Sequence, residues 1–173
     1  VCSSDLHSFP DHADMLETGA IAMAADARIA GIFGRCRPHE DPHLANAFER
    51  TIALAGTLTW PRRFTIESRF RPGMMQTQSA MVRRSLAVAL PFEELDAGGG
   101  EDALFAMEAL HRGHRIAYHP ALDVRHSHGG SNIAAIRRFL GYSRMIARAR
   151  DVAAERGISP AICGLRRTAT RAS

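Results

Sequence analysis

The second half of the chain has the clearest pattern of apolar and polar positions. Glu101–Arg112 repeats apolar residues at helical spacing and ends before Gly113, so the pattern predicts a helix. After Ser131, a residue type that caps helices, the same spacing continues to Gly157 and predicts a long helix. The apolar positions are Leu104, Met107 and Leu110 in the first helix and Ile133, Ile136, Leu140, Ile146 and Val152 in the second.

Shorter apolar runs predict strands. Arg28–Arg35 is apolar with two glycines, which is typical of a buried strand. Gln76–Arg84 alternates polar and apolar residues, and Arg115–Tyr118 and Ala121–Val124 are brief β-favouring runs. Strands alternating with helices predict an α/β fold. Further helices are predicted at Asp11–Ala27, at His43–Ala55 and from Ser85 to just before Pro91, with loop or irregular strand at Thr57–Gly73.

Length and composition indicate one folded domain. The 173 residues are 46% apolar and 23% charged. All 22 basic residues are arginines, and the net charge of +4 permits contact with phosphates or an anionic membrane without requiring either. No run of about 18 apolar residues occurs, so no membrane-spanning helix is predicted. The three cysteines form no C-x-x-C pair, which argues against a disulfide framework or zinc knuckle and favours a reducing, cytoplasmic compartment.

The two ends are expected to stand apart from the fold. Val1–Leu6 resembles a translated sequencing-adapter fragment, so we expect an artefact there. Arg166–Ser173 is polar and has no apolar period. We therefore expect a partial domain over residues 7–157 and a C-terminal tail over residues 158–173.

Two carboxylates follow a glycine run. Glu101 and Asp102 come directly after Gly98–Gly100 and open the predicted helix. First-turn N–H groups and the helix dipole favour an ionised carboxylate, so we expect a lowered pKa there. Such a carboxylate beside a flexible loop suits a general base that takes a proton from an alcohol. Acidic residues also occur in first turns simply as caps, and this alternative stays open.

Two histidines lie two positions apart directly after a predicted strand. In an extended chain His126 and His128 point to the same side, so both imidazoles can converge on a metal ion or a phosphate. Gly129–Gly130 leaves room for a ligand. Alternatively, one imidazole bonds to a backbone carbonyl and the other is solvated, and nine histidines make chance pairs expected.

Arginines occur in adjacent pairs and along the long helix. Arg83–Arg84 and Arg137–Arg138 are candidates for phosphate contacts, although one residue of each pair is expected in solvent. An arginine-rich face of the long helix fits an anionic membrane surface or simple solvation. That face comprises Arg137, Arg138, Arg144 and Arg148.

Several segments also follow one another in a recognisable order. They are Gln76–Arg84, Leu90–Glu94, Gly99–Asp102, Leu110–Gly113, Arg115–Ala121 and Val124–His128. This order resembles the second half of a family 2 glycosyltransferase of the GT-A fold. The family has a strand before Arg-Arg, a Phe-x-Glu turn, a Glu-Asp pair opening a helix, Gly-x-x-Ile-x-Tyr-x-Pro and a closing His. The His-Ser-His ending and Ala30–Arg35 with Pro38 look most like the rhamnosyltransferase-type branch, and the likeness covers roughly residues 9–145.

The resemblance implies a fold and a reaction. The fold is the C-terminal portion of a GT-A domain, a mixed sheet flanked by helices with a long C-terminal helix. The reaction is inverting hexosyl transfer from a nucleotide sugar to a glycan or lipid-linked acceptor. Bacterial cell-surface polysaccharide synthesis is the usual destination, with peripheral contact to the inner face of the plasma membrane.

The resemblance also implies roles for particular residues. Asp102 would be the catalytic base, and Glu101 beside it would hold the acceptor or the loop. His126 or His128 would lie near a divalent cation, Mg²⁺ or Mn²⁺, and the diphosphate. The acceptor side and further substrate contacts would fall to Gln76, Gln78, Ser79 and Arg84.

One family motif does not occur where it is expected. The family's Asp-x-Asp comes shortly before a stretch like Phe9–Asp11, and here the suspected adapter stands in that place. We therefore expect the nucleotide-binding portion upstream, and we expect this chain to be inactive alone.

Two other functions compete with this interpretation. A metal-dependent hydrolase using His126, His128 and Asp102 lacks a helical His-x-x-x-His arrangement. A basic nucleic-acid-binding module would interleave arginine with aromatic residues, but aromatics are only 6% and scattered, so we expect no nucleic-acid partner.

Overall fold

The computed structural model describes residues 2–3, 8–41, 43–57, 60–95 and 99–163. The strands are β1 (Cys2–Ser3), β2 (Ser8–Pro10), β3 (Ile29–Phe33), β4 (Cys36–Arg37), β5 (Thr65–Glu67), β6 (Ala80–Val82), β7 (Arg115–Tyr118) and β8 (Val124–His126). The helices are α1 (Met15–Ala24), α2 (Ala47–Thr57), α3 (Arg84–Ala89), α4 (Glu101–His111) and α5 (Asn132–Glu155). Two 3₁₀ turns are at Thr77–Ser79 and Pro120–Leu122.

A five-stranded mixed sheet lies at the centre, in the order β1-β6-β3-β7-β5. β3 is parallel to β7 and antiparallel to β6, and all its residues are buried. At Gly31 in β3 the Met75 side chain occupies the space that a Cβ would take, so the glycine lets Met75 pack directly against the strand backbone. The predicted α/β class is confirmed at the level of mixed sheets, flanking helices and a long C-terminal helix.

A second sheet of three strands, in the order β2-β8-β4, is held by arginine–carboxylate contacts. Asp11 pairs with Arg37 and with Arg125, whose Nε lies 2.8 Å away. Burial raises the pKa of Asp11, but hydrogen bonds from Arg125 and Arg37 outweigh it, so the pKa lies below its usual value. The buried Asp123 accepts from both the backbone and the guanidinium of Arg35. These contacts fix the position of β8.

The folded core continues beyond the end of α5. Ile158 and Cys163 are buried in the same apolar cluster as α4, and the Phe70 N–H donates to the Ile162 carbonyl at 2.8 Å. The sequence predicted a tail from residue 158, whereas the structure anchors residues 158–163 to the core through Ile158 and Cys163 and leaves residues 159–161 exposed. Residues 164–173 lie outside the described residues, as do residues 1 and 4–6 of the suspected artefact and residue 7. Cys2–Ser3 pairs with β6 as an edge strand.

Local structure differs from the sequence expectation in two places. Gln76–Arg84 divides into a 3₁₀ turn, β6 and the start of α3. Ala121–Val124 divides into a turn begun by Pro120, followed by β8. Thr57–Gly73, expected as loop or irregular strand, contains the short strand β5, which pairs with β7. Among the helices of the described residues, none is both long and apolar enough to cross a lipid bilayer.

Candidate functional site

One cavity of about 720 Å³ brings together most of the residues singled out in the sequence. Its walls come from the start of α4, the 3₁₀ turn before β6, the end of β8, α2 and the N-terminal half of α5. Both predicted carboxylates and both imidazoles therefore face one space. The predicted site residues that line it are Gln76, Gln78, Glu101, Asp102, His126 and His128.

Gly99 and Gly100 bring the start of α4 against α5. Both have positive φ, 151° and 98°. A Cβ on Gly100 would lie 2.9 Å from the Met145 carbonyl oxygen, and one on Gly99 would lie 2.4 Å from the Met145 sulfur. Glycine alone suits both the backbone conformation and this approach. The approach seats Glu101 and Asp102 in the cavity wall.

The pKa of Asp102 is raised to about 6, so the lowered pKa expected from the sequence is wrong for this residue. Burial is the largest cause, the hydrogen bond from the Ala103 N–H opposes it, and the Glu101 carboxylate adds to the rise. The Ala103 N–H donates to Asp102 Oδ1 at 2.7 Å. The sequence prediction considered how the N–H groups at the helix start lower the pKa. It did not include burial, which raises the pKa because the carboxylate is removed from water. A carboxylate that titrates near pH 6 suits general-base chemistry at neutral pH.

The 3₁₀ turn before β6 decides which residues face the cavity. Gln76, Thr77 and Gln78 all line it, so the alternation expected of a strand does not apply. Ser79 is fully buried, and its hydroxyl donates to the Gly34 carbonyl at 2.8 Å. The turn directs Ser79 into the sheet, so its hydroxyl stabilises the fold and is withdrawn from the predicted substrate contact.

Tyr142 of α5 is a cavity residue that the sequence analysis missed. Its hydroxyl oxygen accepts from the Gly73 N–H at 2.8 Å and hydrogen bonds with the Gln76 side chain. Burial and the nearby charge of Asp102 raise the pKa of Tyr142 to about 12, so it stays protonated at neutral pH. Its spacing of four from the buried Ile146 could have identified it, since a buried tyrosine hydroxyl needs a partner.

The two imidazoles converge as the sequence predicted. His126 Nε2 and His128 Nε2 lie 3.1 Å apart. Two nitrogen ligands at about 2.0–2.1 Å from one ion lie roughly 3 Å apart, so the spacing fits two positions of a cation shell. Ser8 Oγ hydrogen bonds with His126 Nδ1 at 3.1 Å, the kind of outer contact that orients ligating imidazoles. Within the described ranges no group of three His, Cys, Asp or Glu could hold a metal ion, so this pair supplies only part of a shell.

The Arg83–Arg84 pair does not reach the cavity. Arg83 donates to the carbonyls of Ile29 and Met23, which fixes the start of α3 beside β3. Arg84 is exposed as the first residue of α3 and is absent from the cavity lining. The structure therefore places the predicted substrate contact Arg84 outside the site, because the helix start turns its side chain to solvent.

α2 and α5 form the outer wall of the cavity, and side-chain contacts hold the two helices together. Arg138 donates to Glu49 of α2 at 3.1 Å and to the Gly129 carbonyl at 3.1 Å. The rings of Phe48 and Phe139 meet edge to face with centroids 6.0 Å apart. The sequence predicted both helices, but their pairing is a tertiary contact that helical spacing does not reveal.

Comparison with known proteins identifies no family for this chain. No family model, no curated protein and no solved structure matches it.

Proposed function

We propose that this chain supplies the acceptor site and the catalytic base of an inverting glycosyltransferase of the GT-A fold. The sugar would pass from a nucleotide-sugar donor to a hydroxyl of a glycan or lipid-linked acceptor. The observation that carries the proposal is the shared cavity, in which Asp102 faces the same space as His126 and His128. The mixed sheet and the order of motifs along the chain support it further.

Asp102 takes the proton of the acceptor hydroxyl in this reaction. The acceptor oxygen then forms a bond to the anomeric carbon, and the bond from that carbon to the diphosphate oxygen breaks. The diphosphate leaves with the bonding electron pair, and this single displacement inverts the anomeric configuration. A pKa near 6 leaves Asp102 mostly ionised at pH 7 while keeping it more basic than an ordinary carboxylate.

The remaining cavity residues position the reactants. The amides of Gln76 and Gln78 can hydrogen bond to acceptor hydroxyls, and Tyr142 holds Gln76 in place. A divalent cation, Mg²⁺ or Mn²⁺, would neutralise charge on the leaving diphosphate. His126 and His128 would give it two nitrogen ligands, and the rest would come from the diphosphate and from the Asp-x-Asp that the resemblance implies.

A transfer assay tests the proposal on a polypeptide that joins this chain to the upstream nucleotide-binding portion implied by the resemblance. UDP- and dTDP-sugars are supplied with an octyl glycoside and Mn²⁺, and acceptor-dependent release of nucleoside diphosphate is measured. Asp102→Asn should lower kcat by about 10²- to 10⁴-fold and leave the KM for the donor unchanged. Asp151→Asn, at an exposed position of α5, is the matched control and should transfer normally. Normal transfer by Asp102→Asn would refute the proposal.

A further inference from the structure

The N-terminal half of α5 has an outward apolar face that the described part of the chain leaves exposed. Ile133, Ile136 and Leu140 are 64%, 40% and 52% exposed. Steps of three and four along a helix return to the same side, so these residues form one stripe while the opposite side packs on the core. Phe139 and Ile52, 43% and 40% exposed, line the cavity and join this stripe to the cavity mouth.

Unpaired positive charge accompanies the apolar stripe. Arg137 and Arg144 follow the same steps of three and four and are exposed, and neither has an ion pair within residues 8–41, 43–57, 60–95 and 99–163. Arg138 and Arg148, grouped with them in the sequence analysis, are instead paired with carboxylates. The sequence Asn132–Arg150 contains no acidic residue. The face is therefore apolar and positive over Asn132–Arg150, and the acidic residues of α5, Asp151 and Glu155, lie in its last two turns, beyond the apolar stripe.

The exposed apolar residues of α1 differ from the α5 face in the charge beside them. α1 exposes Leu16 and Ile21, but Glu17 stands beside them. An acidic residue repels anionic lipid, whereas arginines beside exposed isoleucine and leucine are typical of helices that lie in the membrane interface. The charge of the α5 face thus distinguishes it from ordinary surface exposure.

We infer that the stripe Ile133, Ile136 and Leu140, with Arg137 and Arg144, docks on an anionic lipid bilayer. The apolar side chains enter the headgroup region and the guanidiniums contact lipid phosphates. Because Phe139 and Ile52 link the stripe to the cavity, docking brings the cavity mouth to the membrane surface. The inference that this face binds a membrane is drawn from the exposed residues alone. Only the idea that the cavity meets a lipid-linked acceptor at the membrane rests on the proposed function.

Vesicle co-sedimentation of the 173-residue chain tests the inference. We expect binding to vesicles of equal phosphatidylglycerol and phosphatidylcholine, much weaker binding to phosphatidylcholine alone, and loss of binding at high salt. Each arginine near an anionic surface contributes about fivefold in affinity, so Arg137→Gln with Arg144→Gln should weaken binding roughly thirtyfold. Ile136→Ser with Leu140→Ser should weaken it at least tenfold. These positions are exposed, and circular dichroism verifies that each variant folds.

Two control variants are matched in chemistry but lie elsewhere. Leu16→Ser with Ile21→Ser removes the exposed apolar pair of α1, and Arg112→Gln removes an exposed arginine after α4. Both should bind vesicles within twofold of the parent. Absence of binding to anionic vesicles, or equal losses in the control and α5 variants, would overturn the inference. Self-association through the α5 face without vesicle binding would also overturn it, because the occupant would then be a second copy. Transfer activity does not enter this assay, so its failure leaves the proposed function standing.

Discussion

Replacing Asp102 with asparagine should make the protein more stable at neutral pH. Burial raises the pKa of this carboxyl group from 3.8 to about 6, so the folded protein holds the proton more tightly than the unfolded chain does. Stability therefore falls as the pH rises from about 4 to 6, and the full cost is present above that range. Asparagine keeps an oxygen for the Ala103 N–H but carries no charge, so it removes the cost.

The size of the effect follows from the pKa shift. A rise from 3.8 to about 6 corresponds to at most about 3 kcal/mol of lost stability at pH 7 to 8. Well below pH 3.8 the parent carboxyl is protonated in both states, so the two proteins should approach equal stability at the acid end of the range. For a urea slope of about 1–3 kcal/mol/M, the unfolding midpoint of Asp102→Asn at pH 8 should rise by roughly 1–3 M.

Urea unfolding of both proteins across pH 4 to 8 measures this difference. Trp60, the single tryptophan, packs against Phe33 and Tyr118 and reports on the core. Asp123→Asn is the contrasting control, because Asp123 neutralises Arg35 and its loss should destabilise by about 3 kcal/mol. A gain for Asp102→Asn that is the same at every pH, or a loss of stability at pH 8, would refute the reasoning.

Three further predictions concern the cavity wall and the imidazoles. In urea unfolding, Gly100→Ala should destabilise the protein by more than Gly113→Ala, because both residues have positive φ but only Gly100 also approaches Met145. Equal losses of about 1–2 kcal/mol in the two variants would contradict a role for the Met145 contact. Tyr142→Phe should cost about 1–3 kcal/mol in the same assay, because the Gly73 N–H loses its acceptor, and an unchanged midpoint would contradict that role. In proton NMR, Mn²⁺ with UDP should broaden the ring signals of His126 and His128 more than Mn²⁺ alone does, because the two imidazoles supply only part of a cation shell. Full broadening by Mn²⁺ alone would favour the hydrolase alternative.

The parts of the fold that the sequence predicted well rest on local patterns. β3 was identifiable because its apolar run is continuous, and α4 because its apolar spacing ends at a glycine. The convergence of His126 and His128 also followed from local geometry, since alternate residues of an extended chain share a side. Each of these inferences needed only neighbours in sequence.

The parts that the sequence did not predict depend on contacts between distant segments. The pKa of Asp102 rises through burial against other segments, which spacing cannot reveal. The resemblance implied Ser79 as a substrate contact, but the 3₁₀ turn before β6 buries Ser79 in the sheet, and that turn was not predicted from the alternating sequence. Residues 158–163 are too short a segment to show a helical or strand period, and Ile158 and Cys163 reach the core through contacts with distant residues such as the Phe70–Ile162 backbone hydrogen bond.

The most direct test of the account is a ¹³C NMR titration of the aspartate carboxyl groups in the 173-residue chain, with and without octyl glucoside below its micelle concentration. We predict that one carboxyl signal titrates near pH 6 and is missing in Asp102→Asn. We also predict that adding the glycoside shifts this signal and the ring signals of His126 and His128. The account is contradicted if Asp102 titrates near 4, or if the glycoside perturbs residues elsewhere and leaves these three side chains unchanged.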